Sequence, residues 1–284
     1  MPLTIEDIPA NLLESYTSGK SGIFVGAGLS IGAGFPNWGD LLRWLIDRAE
    51  ADKSLSHRIA EECREHVQDP TKYLMIAEEM KEILAVDFKT YLEEIFTKDT
   101  VLPTEVHNLL VTLKNNSFII TTNYDQLIEQ AFAKNMVYTT AYKYYEAHAI
   151  QRQLYRRKFF LLKAHGDATS AAEHIVLTEK DYRRLLYQEP GYQSALQSIF
   201  TMYSVIFIGC SLEDPELKLL LNYINAAFPE GGIPHYALMA TEATSETERN
   251  RWKKDYNIKI IPVSSENNYE DINTFLKILH ESEK

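Results

Sequence analysis

The chain has 284 residues, 45% hydrophobic and 24% charged, with a formal net charge of −11. Those proportions exclude a disordered chain, a collagen and a coiled-coil rod. The acidic balance argues against direct nucleic-acid binding, which rests on neutralising phosphates.

The elements follow in chain order. The first ten residues carry Glu6 and Asp7 and have no apolar signal core, and no later run approaches the roughly 18 apolar residues of a membrane helix. No membrane association is expected, and a cytoplasmic location is. An apolar run at 22–25 predicts a first strand, and helical spacing at 40–46 a first helix. From 54 to 113 no strand is apparent. The segments 56–67, 71–84 and 87–96 read as amphipathic helices, so 54–113 is expected to be a helical insertion within a single domain covering 1–284. Strands follow at 117–120, 159–162, 204–208, 236–239 and 258–261, with helices at 125–133, 214–227, 246–256 and 269–279. The strand runs are nearly continuous rather than alternating, as in strands buried on both faces. The fold class predicted is α/β, with an open, doubly wound, mostly parallel sheet. Arg152, Arg156, Arg157 and Lys158 form the densest basic cluster and read as a solvated face before a strand.

Ligands of such sheets bind beyond the carboxyl ends of the strands. The residues there are Gly26-Ala27-Gly28-Leu29-Ser30 and Gly34-Phe35-Pro36-Asn37-Trp38 after the first strand, and Thr121-Thr122-Asn123-Tyr124-Asp125 after the second. His165-Gly166 and Gly209-Cys210-Ser211 follow the next two. Gly26, Gly28 and Ser30 suit a phosphate cradle or a tight strand-to-helix turn. Asn123 can cap a helix or hold a ribose hydroxyl or water with its amide, and Asp125 can be an ordinary first-turn acid. His165 can be a packed structural histidine or a proton-transfer group. His107 and His148 have no evident partner and read as surface or helix residues. Asp214 before Pro215 reads as a helix N-cap, and Cys210 as a small buried residue rather than a nucleophile.

Taken together and in this order, Gly-Ala-Gly-Leu-Ser, Ala33-Gly34-Phe35-Pro36, Thr-Thr-Asn-Tyr-Asp, His165-Gly166 and Gly-Cys-Ser resemble the sirtuin family. They resemble more closely its NAD-hydrolase branch in bacterial anti-phage systems. The resemblance implies a Rossmann-like sheet with NAD as substrate. Gly26, Ala27, Gly28 and Ser30 would line the pyrophosphate and ribose, and Phe35, Pro36 and Trp38 the nicotinamide end. Asn123 and His165 would be the catalytic pair, with Thr122 beside them. Asp125 would sit at the nicotinamide pocket, and Gly209 and Ser211 would support the adenosine half.

The departures bear on the chemistry. Deacetylating sirtuins carry two zinc-binding cysteine pairs, but 165–209 holds no cysteine, and Cys63 and Cys210 are the only two in the chain. No zinc or other metal is expected. Thr122 stands where deacetylases have glutamine, and Asn37-Trp38 where they have an acid and Phe-Arg. The activity expected is NAD cleavage to nicotinamide and ADP-ribose as a defence effector. The alternatives are protein ADP-ribosylation or deacylation, or a non-catalytic NAD-binding or ADP-ribose-binding module. The resemblance also implies a homo-oligomer or a regulatory partner, such as a DNA-translocating ATPase or an Argonaute-like protein.

Overall fold

The computed structural model describes residues 3–212, 214–228 and 232–283. Its strands are β1 (Ser21–Val25), β2 (Asn116–Thr121), β3 (Ala141–Lys143), β4 (Phe160–Lys163), β5 (Ser204–Ile208), β6 (His235–Ala240) and β7 (Ile258–Val263). They form one seven-stranded sheet in the order β3-β4-β2-β1-β5-β6-β7, and every pairing is parallel. The sheet is therefore wholly parallel, as expected for strands whose apolar residues do not alternate with polar ones. β1, β4 and β5 are buried at every position.

Alternate residues feed opposite layers. Ile23, Val25, Ile119, Leu161, Ile206 and Ile208 point into one core. That core is closed by α1 (Ala10–Thr17), α2 (Ala27–Ala33), α7 (Glu105–Leu110), α8 (Leu127–Lys134) and α14 (Glu266–Glu281). Phe24, Phe118, Ile120, Phe160, Leu162 and Phe207 point into the other. Its cover is α9 (Ala147–Arg156), α10 (Glu179–Gln188), α11 (Pro190–Met202), α12 (Pro215–Ala227) and α13 (Glu246–Tyr256). The helices after β1 and β5 thus lie on opposite faces, which opens a crevice between the ends of these two neighbouring strands.

A third apolar cluster joins α3 (Trp38–Ala51), α4 (His57–His66), α5 (Tyr73–Leu84) and α6 (Asp87–Phe96) through Leu42, Leu45, Ala60, Met80, Phe88 and Leu92. It also takes in Ile175 and Leu177 from the chain after β4. We take α3–α6 as the helical layer, since Leu110, Val111 and Leu113 pack under the sheet instead. The two edge strands differ: β3 is three residues long and half-buried, whereas β7 pairs with β6 over its full length and contains the exposed Pro262.

Two further histidines are buried. His107 is a helix residue, the second of the two readings open to it, and it is buried rather than on the surface: its Nδ1 lies 2.9 Å from Thr104 Oγ1, a partner not evident in the sequence, in a capping box at the start of α7. His235 begins β6, and its Nδ1 accepts from Val205 N at 3.1 Å. Burial pushes each imidazole down to about 4. The unfolded chain binds these protons near pH 6.5, so stability is full above that value and falls as pH drops toward 4. Between pH 7 and 5 each histidine is expected to remove about 2 kcal/mol. His235→Asn keeps an acceptor for Val205 N and should halve this acid loss in melting curves recorded across that range. A slope unchanged from wild type would refute the assignment.

Candidate active site

The carboxyl ends of β1, β2, β4 and β5 bring the motif residues to one rim. The turns after β1 and β5 bind each other: Gly26 N donates to Ile208 O and Gly28 N to Gly209 O, both at 2.9 Å. A Cβ on Gly26 would stand 2.5 Å from Gly209 O, and one on Gly28 2.9 Å from Gly209 Cα, while Gly209 itself has φ +67°. These glycines therefore let two backbones touch. The two N–H groups are used inside the protein rather than directed at a cleft, whereas Ala27 and Gly28 remain exposed at the rim.

Below this contact lies a buried polar chain. Asn123 Nδ2 donates to Gly26 O at 3.1 Å and to Ser30 Oγ at 2.7 Å. Ser30 Oγ donates to Asp125 Oδ2 at 2.5 Å, and Asp125 Oδ1 accepts from Leu127 N, the first residue of α8, at 3.0 Å. The fully buried Lys163 donates to Asp125 O and lies 3.3 Å from Glu129. The amide of Asn123 is thus fixed by its nitrogen, while its buried Oδ1 has no partner among the described residues.

His165 follows β4 and is buried, with its ring edge-on to Tyr182 at 5.3 Å. Its Nε2 stands 3.6 Å from Asp214 Oδ2 and 3.8 Å from Glu216 Oε2 and makes no hydrogen bond among the described residues. Burial alone would lower the imidazole pKa. Asp214 and then Glu216 outweigh it, and the net shift is upward from 6.5. Glu216 is raised by its own burial against the pull of His165. Both carboxylates are held from elsewhere. Asp214 caps α12 through Glu216 N and Leu217 N and accepts from Tyr182 OH at 2.8 Å. Glu216 accepts from Tyr192 OH at 3.2 Å and from Gln193 Nε2 at 2.7 Å. Thr122, Asp214 and Glu216 border a gap of about 10 Å³ against Phe24.

Sequence reasoning placed Asp214 only as a cap and did not single out Glu216, Tyr182, Tyr192 or Lys163. The available signal was Asp214-Pro215-Glu216 directly after the Gly-Cys-Ser turn: an N-cap and a first-turn acid aimed at the rim. Among the described residues, His165, Asp214 and Glu216 are also the one trio of potential metal ligands, with ligand atoms within 4.8 Å of one another.

The remaining motif residues are dispersed. Phe35 is buried against Phe96, with ring centroids 5.6 Å apart, inside the helical layer. Trp38 opens α3 and packs edge-on against Tyr73 at 5.5 Å, its buried Nε1 unpartnered among the described residues. Pro36 is half-buried and Ser211 exposed. Cys210 is half-buried, its thiol 3.6 Å from Phe24 O and Ile208 O, and burial pushes its pKa far up, as befits an inert thiol. The segment after His165 closes the site from the side: Val176 N donates to His165 O at 3.1 Å, and Val176 O accepts from Tyr124 OH at 2.6 Å. Among the described residues no helix is long and apolar enough to cross a membrane.

The chain is 26% identical over 261 residues to defense-associated sirtuin 2 of Bacillus subtilis, which covers 89% of this chain and 24% of that protein. It is 26% identical over 293 residues to the NAD(+) hydrolase ThsA of Bacillus cereus, covering 97% of this chain and 56% of that one. The chain thus spans about a quarter to just over half the length of these curated relatives. A solved Sir2 enzyme aligns over 95% of both chains at 15% identity with a TM-score of 0.47. The family model for the SIR2-like domain matches residues 117–261, slightly more than half of the chain and from β2 into β7. The chain belongs to the SIR2-like domain family.

Proposed function

We propose that this chain hydrolyses NAD at the bond between nicotinamide and ribose, releasing nicotinamide and ADP-ribose, and that it depletes NAD as an anti-phage defence effector. The observation that carries the reading is a pair of buried atoms at adjoining strand ends, Asn123 Oδ1 and His165 Nε2, neither of which has a hydrogen bond among the described residues. Buried polar atoms are normally satisfied, and a ligand or water that completes them accounts for two exceptions side by side at strand ends. Family membership and the names of the relatives support NAD as the molecule that does so.

In this reading the C1′–N1 bond breaks with its electron pair leaving on nicotinamide, and positive charge develops on the ribose. Asn123 Oδ1 accepts a hydrogen bond from the attacking water or a ribose hydroxyl and fixes its direction. The water oxygen bonds to C1′, and its proton passes to His165 directly or through a ribose hydroxyl. Asp214 and Glu216 favour the protonated ring. Ser30 and Asp125 keep the amide of Asn123 from rotating, which would replace its acceptor with a donor. Gly26, Ala27, Gly28, Gly209 and Ser211 border the pyrophosphate and adenosine side, and Thr122, Phe35, Pro36 and Trp38 the nicotinamide side. No step uses zinc, because the segment that would carry its cysteines has none.

The reading extends to the setting. The protein acts in the cytoplasm, and its activity is restrained by self-association, by a partner such as a DNA-translocating ATPase or an Argonaute-like protein, or by both. The test follows NAD carrying label in its adenosine half during incubation with the purified chain. Nicotinamide and free labelled ADP-ribose in equal amounts are expected. Label retained on protein would point to ADP-ribosyl transfer, and NAD left intact would refute hydrolysis by this chain alone.

A further inference from the structure

Lys163 is the last residue of β4 and is 1% exposed. Its register partners are Thr121 of β2 and Lys143 of β3. It lies two residues beyond Leu161, on the face of the sheet that α8 covers. An apolar side chain would continue that core with no charge to bury. A fold retains a buried ammonium group only where it is paired and hydrogen-bonded. Lys163 has both partners at one place: it donates to the main-chain oxygen of Asp125 and lies 3.3 Å from Glu129 Oε1. No backbone N–H among the described residues reaches that oxygen. The neighbouring Lys143 is engaged on the other side, with the buried Asp167.

The residue so pinned ends a directional chain. Asn123 Nδ2 donates to Ser30 Oγ at 2.7 Å, and Ser30 Oγ donates to Asp125 Oδ2 at 2.5 Å. An ionised carboxylate only accepts, and a serine hydroxyl has one proton to give. With the Asp125 carboxylate in line, Ser30 gives its proton there and can only accept from Asn123. The amide nitrogen of Asn123 must then face Ser30, which leaves Oδ1 unclaimed by the chain. Were the turn at 122–125 free to shift, Ser30 could donate to Asn123 Oδ1 instead. The amide would then turn a donor toward the strand end in place of an acceptor.

We infer that Lys163 is a positioning residue: its bond to Asp125 O holds the 122–125 turn so that Asp125 and Ser30 fix which way round the amide of Asn123 stands. Its effect on catalysis rests on the reading of Asn123 as a group that directs water or a ribose hydroxyl in NAD cleavage. Glu129 neutralises the lysine and takes no part in the orientation.

The test removes the ion pair as a unit. Replacing a buried pair by apolar residues is often neutral for stability, so the full chain carrying Lys163→Met with Glu129→Leu should melt near wild type. Its kcat for NAD should nevertheless fall about a hundredfold, as for a misplaced reacting group, with KM within about threefold of wild type. Glu129→Gln, which keeps the lysine and its bond to Asp125 O, should hold kcat within about threefold. A second readout needs no turnover: the side-chain amide signal of Asn123 in a nitrogen-15 spectrum, identified by its loss in Asn123→Ala. Its hydrogens should exchange with water about tenfold faster or more in the double variant. Lys163→Gln, which keeps a donor and leaves Glu129 untouched, is the milder variant and should show both changes in smaller measure. A double variant that melts as wild type and keeps its kcat would overturn the inference, as would unchanged amide exchange in both lysine variants. Lys163 would then only fill its place in the core. NAD left intact by the wild-type chain would instead count against the hydrolysis reading, and amide exchange would still decide the role of Lys163.

Discussion

Asn123→Ala is expected to lower NAD cleavage by about a thousandfold, as removal of one pre-positioned hydrogen-bonding group from a reaction centre does. His165→Ala should cost a similar factor, and the double variant little more than either single one, because both act on the same water and the same developing charge. The stability cost differs from the catalytic one. Asn123 donates to Gly26 O and Ser30 Oγ, so its loss should cost about 1–2 kcal/mol. That is modest beside the stability of a chain this size, and a cooperative melt a few degrees below wild type should accompany the missing activity. Measuring product release and melting on the same preparations separates the two. A folded Asn123→Ala protein that cleaves NAD within tenfold of wild type would remove Asn123 from the mechanism.

Asp181→Ala should be strongly destabilising, at about 3 kcal/mol, since it removes a buried carboxylate that accepts several hydrogen bonds and leaves the part-buried Lys81 without that partner. Asp181 is buried, and one of its carboxylate oxygens accepts from Leu177 N at 3.2 Å, Thr178 N at 3.1 Å and Thr178 Oγ1 at 2.9 Å. Lys81 Nζ of α5 reaches the same carboxylate at 2.7 Å and also donates to Ile175 O at 3.2 Å. This one side chain therefore fastens the 175–178 segment, which walls His165, to the helical layer. Asp181→Asn retains part of the network and should cost less than half as much. Urea unfolding of the two variants gives the comparison, and an alanine variant within 1 kcal/mol of wild type would mean that the segment is held by Ile175 and Leu177 alone.

The parallel core was legible because its strands are short apolar runs set off by glycine and polar turns. The helices α4, α5 and α6 were legible because each has an apolar stripe. β3 was not, since Ala141-Tyr142-Lys143 contains no apolar run and is a strand only because β4 offers it a ladder. α9 and α10 were hidden by polarity; Thr178 with Asp181 three residues on was the capping signal that could have marked the start of α10. At the site, the residues that follow strands could be found because strand ends converge. The carboxylates behind His165 could not be ranked, because no one-dimensional pattern shows that the start of α12 points back across the sheet to the end of β4. The glycines illustrate the reverse: their spacing suggested donors for phosphate, and the contact between the β1 and β5 turns shows those donors committed within the backbone.

The two margins of the sheet limit how copies of this chain can join. A long, unobstructed outer strand invites another chain to extend the ladder, and proteins suppress this with short strands, lysine and proline. β3 offers three residues, and β7 carries Lys259 and Pro262, the latter with no N–H to give. Neither margin is a good template for a continuous intermolecular sheet. Self-association of this protein would therefore have to use side-chain packing between helical faces, where a few substitutions can tune or abolish it without disturbing the ladder that positions the rim.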